Sequence, residues 1–390
     1  MNIVNILLLN SLLFGEALAG MEWRGENTNY TLSQGSLIPT DEERYIYNYN
    51  RLRLYGEWKE DAFFLTAIGD SVNYLGEKYV NSTSFDFIRQ LRSDTPFKTQ
   101  TSFCDYDEGS TYGRLYRLYG GYDDGKNRIV LGLQNITMGV GHIWTPSNLF
   151  NPRNTYALEP DETFAVMALY ATHYLNDQSQ VYAVASQKED NSFKYALGYK
   201  TTLNDIDISF NSILSDRTKM GSYTIEGDLG ETGIQLRSEG AYFKAQLKTL
   251  EGIWNEKELF QGIIGADYAF QKGLNLTVEA LYSSETFSYE EILSNMDVAL
   301  LGNMLMSHFY LGSTMSYDFT IYLSATLLYI EGFHSKNTSD QNSRFISPSL
   351  TYILDDNNTF IIGAMIGNGS SDSEFGMFGN SYYFKYSLSF

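Results

Sequence analysis

The sequence contains very little cysteine, histidine or proline, and each shortage excludes a class of structure. The single cysteine, Cys104, excludes an intrachain disulfide and a cysteine-based zinc cluster. The four histidines form no HxxxH or HExxH spacing, so we predict no metal site and no cofactor. Only six of the 390 residues are proline, which leaves most backbone N–H groups able to donate hydrogen bonds, as a chain rich in β-sheet requires.

Basic residues are also scarce, with 27 Lys and Arg against 47 Asp and Glu and a formal net charge of −20. Such a chain repels a nucleic-acid backbone, so no nucleic-acid partner is predicted. Aromatic residues, by contrast, make up 15% of the chain, including 31 Tyr and 24 Phe. This content suits a membrane β-barrel, whose Tyr and Phe belts lie where lipid meets water.

Long apolar runs are missing, and the one short run lies at the N-terminus. The run from Ile3 to Phe14 is too short for a membrane-spanning helix, which needs about 20 residues. The small residues Ala17 and Ala19 fit signal-peptidase cleavage before Gly20, so we predict that residues 1–19 are a signal peptide. No later segment can span a membrane as a helix, which leaves strands as the candidates for membrane contact.

Apolar and polar residues alternate with a period of two in many short segments from Arg44 onward. The segments Leu274 to Tyr282 and Ile321 to Tyr329 are clear examples. Such segments cover about ten residues each, which is the length a tilted strand needs to cross a bilayer. A soluble β-sandwich is disfavoured, because the polar face is too rich in Ser, Thr, Asn, Glu and Lys to pack as a second dry core.

Tight turns alternate with long polar loops between these segments, as in barrels with short periplasmic turns and larger external loops. An open sheet edge in lipid would leave backbone groups without partners, so the sheet must close. The predicted fold class is all-β, a closed antiparallel transmembrane β-barrel of about 16–18 strands. The predicted divisions are a signal peptide at 1–19, an N-terminal lead-in at 20–43 and a barrel at 44–390, with long loops near 76–110, 139–162 and 283–305.

Every second residue of the final segment is apolar or aromatic, and polar residues lie mostly between them. This places one face toward lipid and one toward a wet interior. The pattern resembles the terminal signal that the outer-membrane assembly machinery recognises in barrels of Gram-negative bacteria. It implies the bacterial outer membrane as location, with the lipid bilayer and the barrel assembly machinery as partners. The residues of this predicted signal are Tyr382, Phe384, Tyr386, Leu388 and Phe390.

One internal segment departs from the strand pattern and holds two of the six prolines, which stop any strand. One interpretation is a loop folded into the lumen, where its charged residues narrow the pore and select solutes by sign. The alternative is a rigid, outward-facing turn that packs on the barrel rim through Trp144, Leu149 and Phe150. The segment's distinctive residues are Gly139, Gly141, Trp144, Pro146, Asn148, Phe150, Asn151 and Pro152, and the candidate constriction residues are Arg153, Glu159, Asp161 and Glu162.

The segment GxGxxWxPxNLFNP resembles a stretch found in a group of largely uncharacterised proteobacterial outer-membrane barrels. That group is loosely akin to porins and to alginate-export-type channels. Many of its members carry Asp where this chain has Asn148. The resemblance covers about fourteen residues together with the terminal strand. It implies the barrel fold, and it indicates little about the substrate.

Arginines cluster in the first part of the chain, and charge is expensive on a lipid-facing wall. Arg51 and Arg53 share one face of a strand and should line the lumen, as should Arg128. Arg114 and Arg117 would lie on opposite faces of a regular strand, so one must lie near a rim or beside a bulge. The basic residues either face the loop carboxylates across the pore or simply pair with neighbouring carboxylates in the lumen.

The function predicted from these features is a porin-like outer-membrane channel for passive diffusion of small hydrophilic solutes. A dedicated exporter or importer of a polyanion or sugar polymer is the alternative, as is a non-conducting scaffold that displays loops. An enzyme is disfavoured, because no Ser and His pair carries a recognisable catalytic motif. The sequence does not determine the oligomeric state.

Overall fold

The computed structural model describes residues 20–36, 43–295, 301–333, 342–377 and 379–390. The predicted signal peptide lies outside the described residues. The strands are β1 (Met21–Gly35), β2 (Arg44–Glu60), β3 (Phe63–Leu75), β4 (Cys104–Tyr106), β5 (Gly109–Asp123), β6 (Asn127–Gln134), β7 (Val166–Asn176), β8 (Ser179–Gln187), β9 (Phe193–Leu203), β10 (Ile206–Leu214), β11 (Thr218–Asp228), β12 (Ile234–Lys248), β13 (Trp254–Ala269), β14 (Leu274–Ser283), β15 (Phe309–Asp318), β16 (Leu323–Phe333), β17 (Asn342–Ile353), β18 (Asn358–Asn368) and β19 (Ser381–Ser389). The helices are short, namely α1 (Glu77–Val80), α2 (Thr83–Gln90) and α3 (Tyr289–Ser294), with 3₁₀ turns at Gly230–Thr232 and Leu301–Asn303.

Each strand pairs antiparallel with its neighbours along the chain, and β1 pairs with β19 to close the sheet. The three-residue strand β4 pairs with one edge of β5, so that 18 strands form the barrel itself. Within the described residues, closure pairs each of the 18 barrel strands on both sides, which is the condition for strands to span a membrane. The predicted closed antiparallel barrel is confirmed, at 18 strands.

The lead-in predicted at residues 20–43 is wrong over β1, because this segment pairs along its length with β2 and also with β19. The barrel therefore begins at Met21, and residues 37–42 lie outside the described part of the chain. In the half of β1 nearer the loop rim the alternation is inverted relative to most other strands. Its apolar residues Tyr30 and Leu32 are buried inside the barrel, and the outward residues there are polar, whereas Trp23 near the short-turn rim is exposed.

The two rims of the barrel differ in the length of their connections. On one rim every turn has two to five residues, and several turn residues take positive φ, including Asp61, Asn204 and Lys272. On the other rim the connections 76–108, 135–165 and 284–308 are much longer. Barrels of the outer membrane place the short turns in the periplasm and the long loops outside the cell.

Large apolar residues cover most of the outer wall, and aromatic residues concentrate near both rims, as expected for belts at the two lipid–water interfaces. No helix within the described ranges is long and apolar enough to cross a bilayer. The exposed aromatic residues near the short-turn rim include Trp23, Phe63, Phe319, Tyr322 and Phe390, and those near the loop rim include Phe193, Tyr195, Tyr242, Tyr282 and Phe309.

The interior contains apolar clusters in addition to polar groups, because long loops fold inward and pack on the inner wall. One cluster joins Leu149 and Phe150 to inward residues of β7–β13. A second joins helices α1 and α2 to tyrosines of β1–β3, with the rings of Tyr47 and Tyr79 stacked at 3.6 Å. A third surrounds Trp144. These loops hold the candidate site inside the barrel.

Candidate functional site

The connection between β6 and β7, residues 135–165, lies inside the barrel and is called the strap here. Its first half contacts β12 and β14, and its second half contacts β2, β5 and β19 on the other side of the ring. Trp144, Leu149 and Phe150 are buried against inner-wall residues. This placement follows the inward-loop interpretation, and the outward-turn alternative is wrong for these three side chains.

Glu239 of β12 binds the beginning of the strap with its carboxylate. The backbone N–H groups of Val140, Gly141 and Ser147 donate to it at 2.9, 3.3 and 2.6 Å. The Ser147 hydroxyl donates to the same carboxylate at 2.7 Å. Glu239 is fully buried, so these bonds replace the water that the charge would otherwise require.

Glu279 of β14 binds the next residues of the strap in the same way. It accepts hydrogen bonds from the backbone N–H groups of His142, Ile143 and Trp144 at 2.6, 2.8 and 3.2 Å. The Arg237 guanidinium donates to it from the neighbouring wall at 2.9 Å. Charge-assisted hydrogen bonds of this kind contribute about 1.5–3 kcal/mol each. The two wall carboxylates therefore anchor the strap through its backbone.

The two glycines of the motif are explained by this anchoring. Gly139 has φ +124°, which disfavours a side chain, and a Cβ there would lie against the Glu239 carboxylate. A Cβ on Gly141 would overlap the carbonyl oxygen of Trp144. The glycines allow the backbone to turn its N–H groups onto the carboxylates at close range.

The two asparagines of the motif fix the path of the strap after this turn. The Asn148 amide donates to the carbonyl of Asn151 at 2.7 Å. The Asn151 side chain accepts from the backbone N–H of Ile136 at 2.6 Å and donates to the carbonyl of Phe164. Asn151 thereby joins the two ends of the strap where it enters and leaves the wall.

Both prolines of the motif contact the loop between β14 and β15. The carbonyl of Pro146 accepts from the Asn303 amide at 2.9 Å. Pro152 lies beside Gly302, where a Cβ would be 3.0 Å from the proline ring. Because proline restricts φ, both residues help to hold this path.

The second half of the strap carries two carboxylates that pair with wall arginines. Glu159 binds Arg51 at 2.7 Å and Lys385 at 3.3 Å. Glu162 binds Arg53 at 2.7 Å and Arg51 at 3.3 Å. The contacts thus follow the second interpretation of the arginines, in which they pair with neighbouring carboxylates.

Arg53 also forms two hydrogen bonds with Asp70 of β3, at 2.6 and 2.9 Å, and Arg114 binds the same carboxylate at 2.6 Å. Arg114 and Arg117 both face the lumen, because a bulge in β5 opposite Ile68 and Gly69 makes Tyr116 an extra residue. Of the two predicted arrangements, a position near a rim or beside a bulge, the structure shows the bulge. The guanidinium groups of Arg53, Arg114 and Arg117 lie 3.8, 4.9 and 3.9 Å from the centre of the Tyr116 ring.

The remaining predicted site residues occupy different environments. Arg153 binds Asp161 at 3.2 Å and donates to the carbonyl of His142, all within the strap. The Asp161 side chain is 88% exposed, which makes it the open end of this pair. Arg128 lies at the short-turn end of β6, 3.6 Å from Asp123. It shares the inner face of β6 but is not part of the arginine cluster.

The two sides of the lumen therefore carry opposite charge. The basic wall contains five cations and four carboxylates, and the acidic wall contains one cation and four carboxylates, for net charges of +1 and −3. The sequence analysis did not identify the acidic wall, although its members lie at inward positions of adjacent strands. The basic wall consists of Arg51, Arg53, Arg114, Arg117, Lys385, Glu26, Asp70, Glu159 and Glu162, and the acidic wall consists of Arg237, Glu226, Glu239, Asp267 and Glu279.

Loop groups in the lumen have shifted pKa values. Burial alone raises the pKa of Glu162, but the Arg53 hydrogen bond and the charge of Arg51 outweigh it and hold the pKa below its ordinary value. Partial burial, assisted by Arg237, lowers the pKa of His142. Burial raises the pKa of Glu374 in the loop 369–380 to about 7. Glu162 is therefore charged near neutral pH and His142 is uncharged.

We expect Gly141→Ala to displace the strap, because the added Cβ meets backbone atoms that cannot move aside cheaply. The matched control is Gly221→Ala on β11, where nothing lies within 4 Å of the added atom. Single-channel recording should show a noisier and larger current for Gly141→Ala alone. A folded Gly141→Ala barrel with the same current as the Gly221→Ala protein would contradict this role of the glycine.

The closed 18-strand barrel, its two aromatic belts and its unequal rims define an outer-membrane β-barrel of the porin type, located in the outer membrane of Gram-negative bacteria. No family model and no curated protein matches the sequence. Solved structures of outer-membrane proteins match the fold over nearly the full chain.

Acinetobacter baumannii OccAB1 is 12% identical with a TM-score of 0.62, covering 95% of this chain and 96% of that one. Pseudomonas aeruginosa OpdK, in a structure with vanillate, is 10% identical with a TM-score of 0.61, covering 95% and 99%. Pseudomonas aeruginosa OccK8 (OprE) is 10% identical with a TM-score of 0.60, covering 95% and 98%. At these identities the likeness shows the fold alone.

Proposed function

We propose that the protein is a porin-like channel through which small hydrophilic solutes diffuse passively across the outer membrane. The observation that carries the proposal is the strap, which crosses the lumen between a basic and an acidic wall. Barrels of 16–18 strands are wide enough to enclose an aqueous channel. A fixed segment inside such a barrel narrows the path, and charges beside it select solutes.

Within this proposal the four candidate constriction residues have two different tasks. Glu159 and Glu162 fix the second half of the strap to the arginines of the basic wall. Arg153 and Asp161 form a pair whose carboxylate is open to the lumen. Passing solutes would therefore meet Asp161 and Arg153, while Glu159 and Glu162 act by holding the strap in place.

The opposite charges of the two walls create a transverse field. A solute with a carboxylate group would turn that group toward the basic wall and its cationic or hydroxyl groups toward the acidic wall. The structural neighbour OpdK is described with vanillate. We propose small solutes that carry one anionic group as the favoured class for this channel.

The alternative of a polyanion exporter receives less support from the geometry. A polyanion would need basic residues on many strands around the lumen. The five cations of the basic wall lie on β2, β5 and β19, and the opposite wall, which contains Arg237, has a net charge of −3. A repeating anion would be repelled along half of the circumference.

The test is single-channel recording of the refolded protein in planar bilayers under a salt gradient. We expect stable stepwise openings, with Asp161→Asn shifting the reversal potential toward anions and Arg153→Gln shifting it toward cations. The control is Glu256→Gln, which removes a carboxylate that pairs with Lys244 at the loop end of β13. Silent bilayers, with the barrel shown to be folded by its heat-modifiable gel shift, would contradict a channel and favour a loop-displaying scaffold.

A further inference from the structure

One sector of the outer wall carries uncharged polar side chains where a lipid-facing wall is ordinarily apolar. The residues that alternate with these polar ones along the strands, such as Thr28, Tyr30 and Arg51, are buried inside the barrel. Because successive side chains of a strand point to opposite faces, the polar side chains point outward. We call this set the amide patch. Its members are Asn27, Asn29, Thr31 and Ser33 of β1, Asn48 and Asn50 of β2, Ser71 and Asn73 of β3, and Thr111 of β5.

Part of the amide patch lies level with the apolar outer face of β19. In the register of β1 with β19, Asn27 faces Leu388 and Asn29 faces Tyr386, which belong to the outward apolar face of β19. The seven residues from Asn27 to Ser33 cover roughly 15 Å of barrel height, and the apolar band of an outer-membrane barrel is about 25 Å tall. On the opposite side of the barrel the mid-strand outward residue Leu197 is apolar and 67% exposed.

Four of the five amides of the patch pair with each other across β1 and β2, and the fifth, Asn73, accepts a hydrogen bond from the Tyr106 hydroxyl at 2.7 Å. Asn27 and Asn50 exchange hydrogen bonds at 3.3 Å, and Asn29 and Asn48 exchange them at 2.9 and 3.1 Å. Each amide offers two donors and two acceptor positions, and these bonds use only part of them. Polar groups left without partners in hydrocarbon cost free energy, so a bare lipid contact is unfavourable for this surface.

We propose that this sector, the outer faces of β1–β3 and the adjoining part of β5, is an interface with a second copy of the same chain. A second copy in the same membrane has the same orientation, so its patch lies at the same depth without further adjustment. Amides both donate and accept, which makes the patch complementary to itself. The oligomer would be closed, with a symmetry axis along the membrane normal beside β1–β3. This inference does not depend on the proposed conduction.

Other properties of the patch fit a second copy. Its residues carry no formal charge, so two patches meet without like-charge repulsion. Thr31, Ser33 and Ser71 are small and leave the wall flat enough for close approach, as small residues do between membrane segments. A partner with charged groups at this depth would leave those charges unpaired.

The test is oxidative cross-linking in isolated outer membranes of the full-length protein. The native cysteine is removed by Cys104→Ser, and Asn29→Cys, Asn50→Cys or Asn73→Cys is then introduced singly. The matched control is Leu197→Cys, an outward mid-strand position on the other side of the barrel. We expect a product of twice the chain mass from at least one patch variant, and about tenfold less from the control.

Two results of the cross-linking experiment would overturn the proposal. One is the absence of any doubled product, together with complete labelling of all three patch cysteines by a membrane-permeant maleimide, which would mean that the patch faces lipid. The other is a product of a different mass, which would mean that another protein covers the patch. A second measurement uses Asn29→Leu with Asn48→Leu, for which we expect a folded, heat-modifiable monomer and loss of the oligomer on unheated gels. An oligomer unchanged by these substitutions would also contradict the interface.

Discussion

Replacing both Glu239 and Glu279 with glutamine is expected to raise the single-channel conductance about twofold or more, because the first half of the strap then leaves the wall. Glutamine keeps the size of the side chain but has one acceptor oxygen and a donor amide. Some of the strap backbone N–H groups that donate to the two carboxylates would then face the NH₂ group of a glutamine, which is also a donor. The measurement is the unit current of each variant at fixed salt and voltage.

The size of the effect follows from the number of bonds involved. Glu239 accepts from three strap N–H groups and one hydroxyl, and Glu279 accepts from three more N–H groups. Each lost charge-assisted bond costs about 1.5–3 kcal/mol. The apolar contacts of Ile143 and Trp144 oppose detachment, so we expect intermediate currents from the single variants.

The second half of the strap should remain in place in this double variant, because Glu159 and Glu162 still bind the arginines of the basic wall. The control is Glu258→Gln, which removes an exposed carboxylate that pairs with Lys244 on the outer face. A folded double variant with the same current as the Glu258→Gln protein would contradict the anchoring role of the two carboxylates.

Much of the barrel could be predicted from the sequence, because strand alternation is a local property. In β14 and β16 the outward residues are apolar and the period of two is directly visible. The final strand β19 shows the same pattern, and it closes the barrel against β1. A closed sheet then follows from the need to pair every backbone group in lipid.

The first strand could not be predicted by the same rule, because its outward face is polar. Asn27 and Asn29 take positions that are apolar in most other strands, so β1 appeared to be a lead-in segment. The cause is visible only when the neighbouring strand is known, since Asn48 and Asn50 lie beside them. The local alternation does not contain this information.

The candidate site could be predicted in part. The motif allowed either an inward loop or an outward-facing turn, and its contacts in the lumen follow the first of these interpretations. Glu239 and Glu279 were missed because their roles depend on the path of a loop about a hundred or more residues earlier in the chain. A signal was present, since both are charged residues on strands, where a position facing lipid would be costly. A bulge near Arg114 and Arg117 was one of two alternatives, because these two residues could not both avoid lipid in the middle of a regular strand, and the structure has it at Tyr116.

Arg53→Gln is expected to shift the ion preference of the channel toward cations, by about twofold in the permeability ratio. Arg53 forms two hydrogen bonds with Asp70 and two with Glu162. Its removal takes the basic wall from a net charge of +1 to zero and leaves both carboxylates partly compensated by Arg51 and Arg114. The measurement is the reversal potential under a salt gradient.

Breaking a buried ion pair also destabilises the surrounding structure, by about 3–5 kcal/mol. A structural effect and an electrostatic effect can be separated with the double variant Arg53→Gln with Glu162→Gln, which restores the net charge of the basic wall. We expect its ion preference to return toward that of the parent protein, even though the strap has lost one attachment to β2. The control is Arg128→Gln near the short-turn rim, 3.6 Å from Asp123 and outside the cluster. If Arg128→Gln shifted the reversal potential as much as Arg53→Gln, total charge alone would set the selectivity, and the basic wall would have no special role.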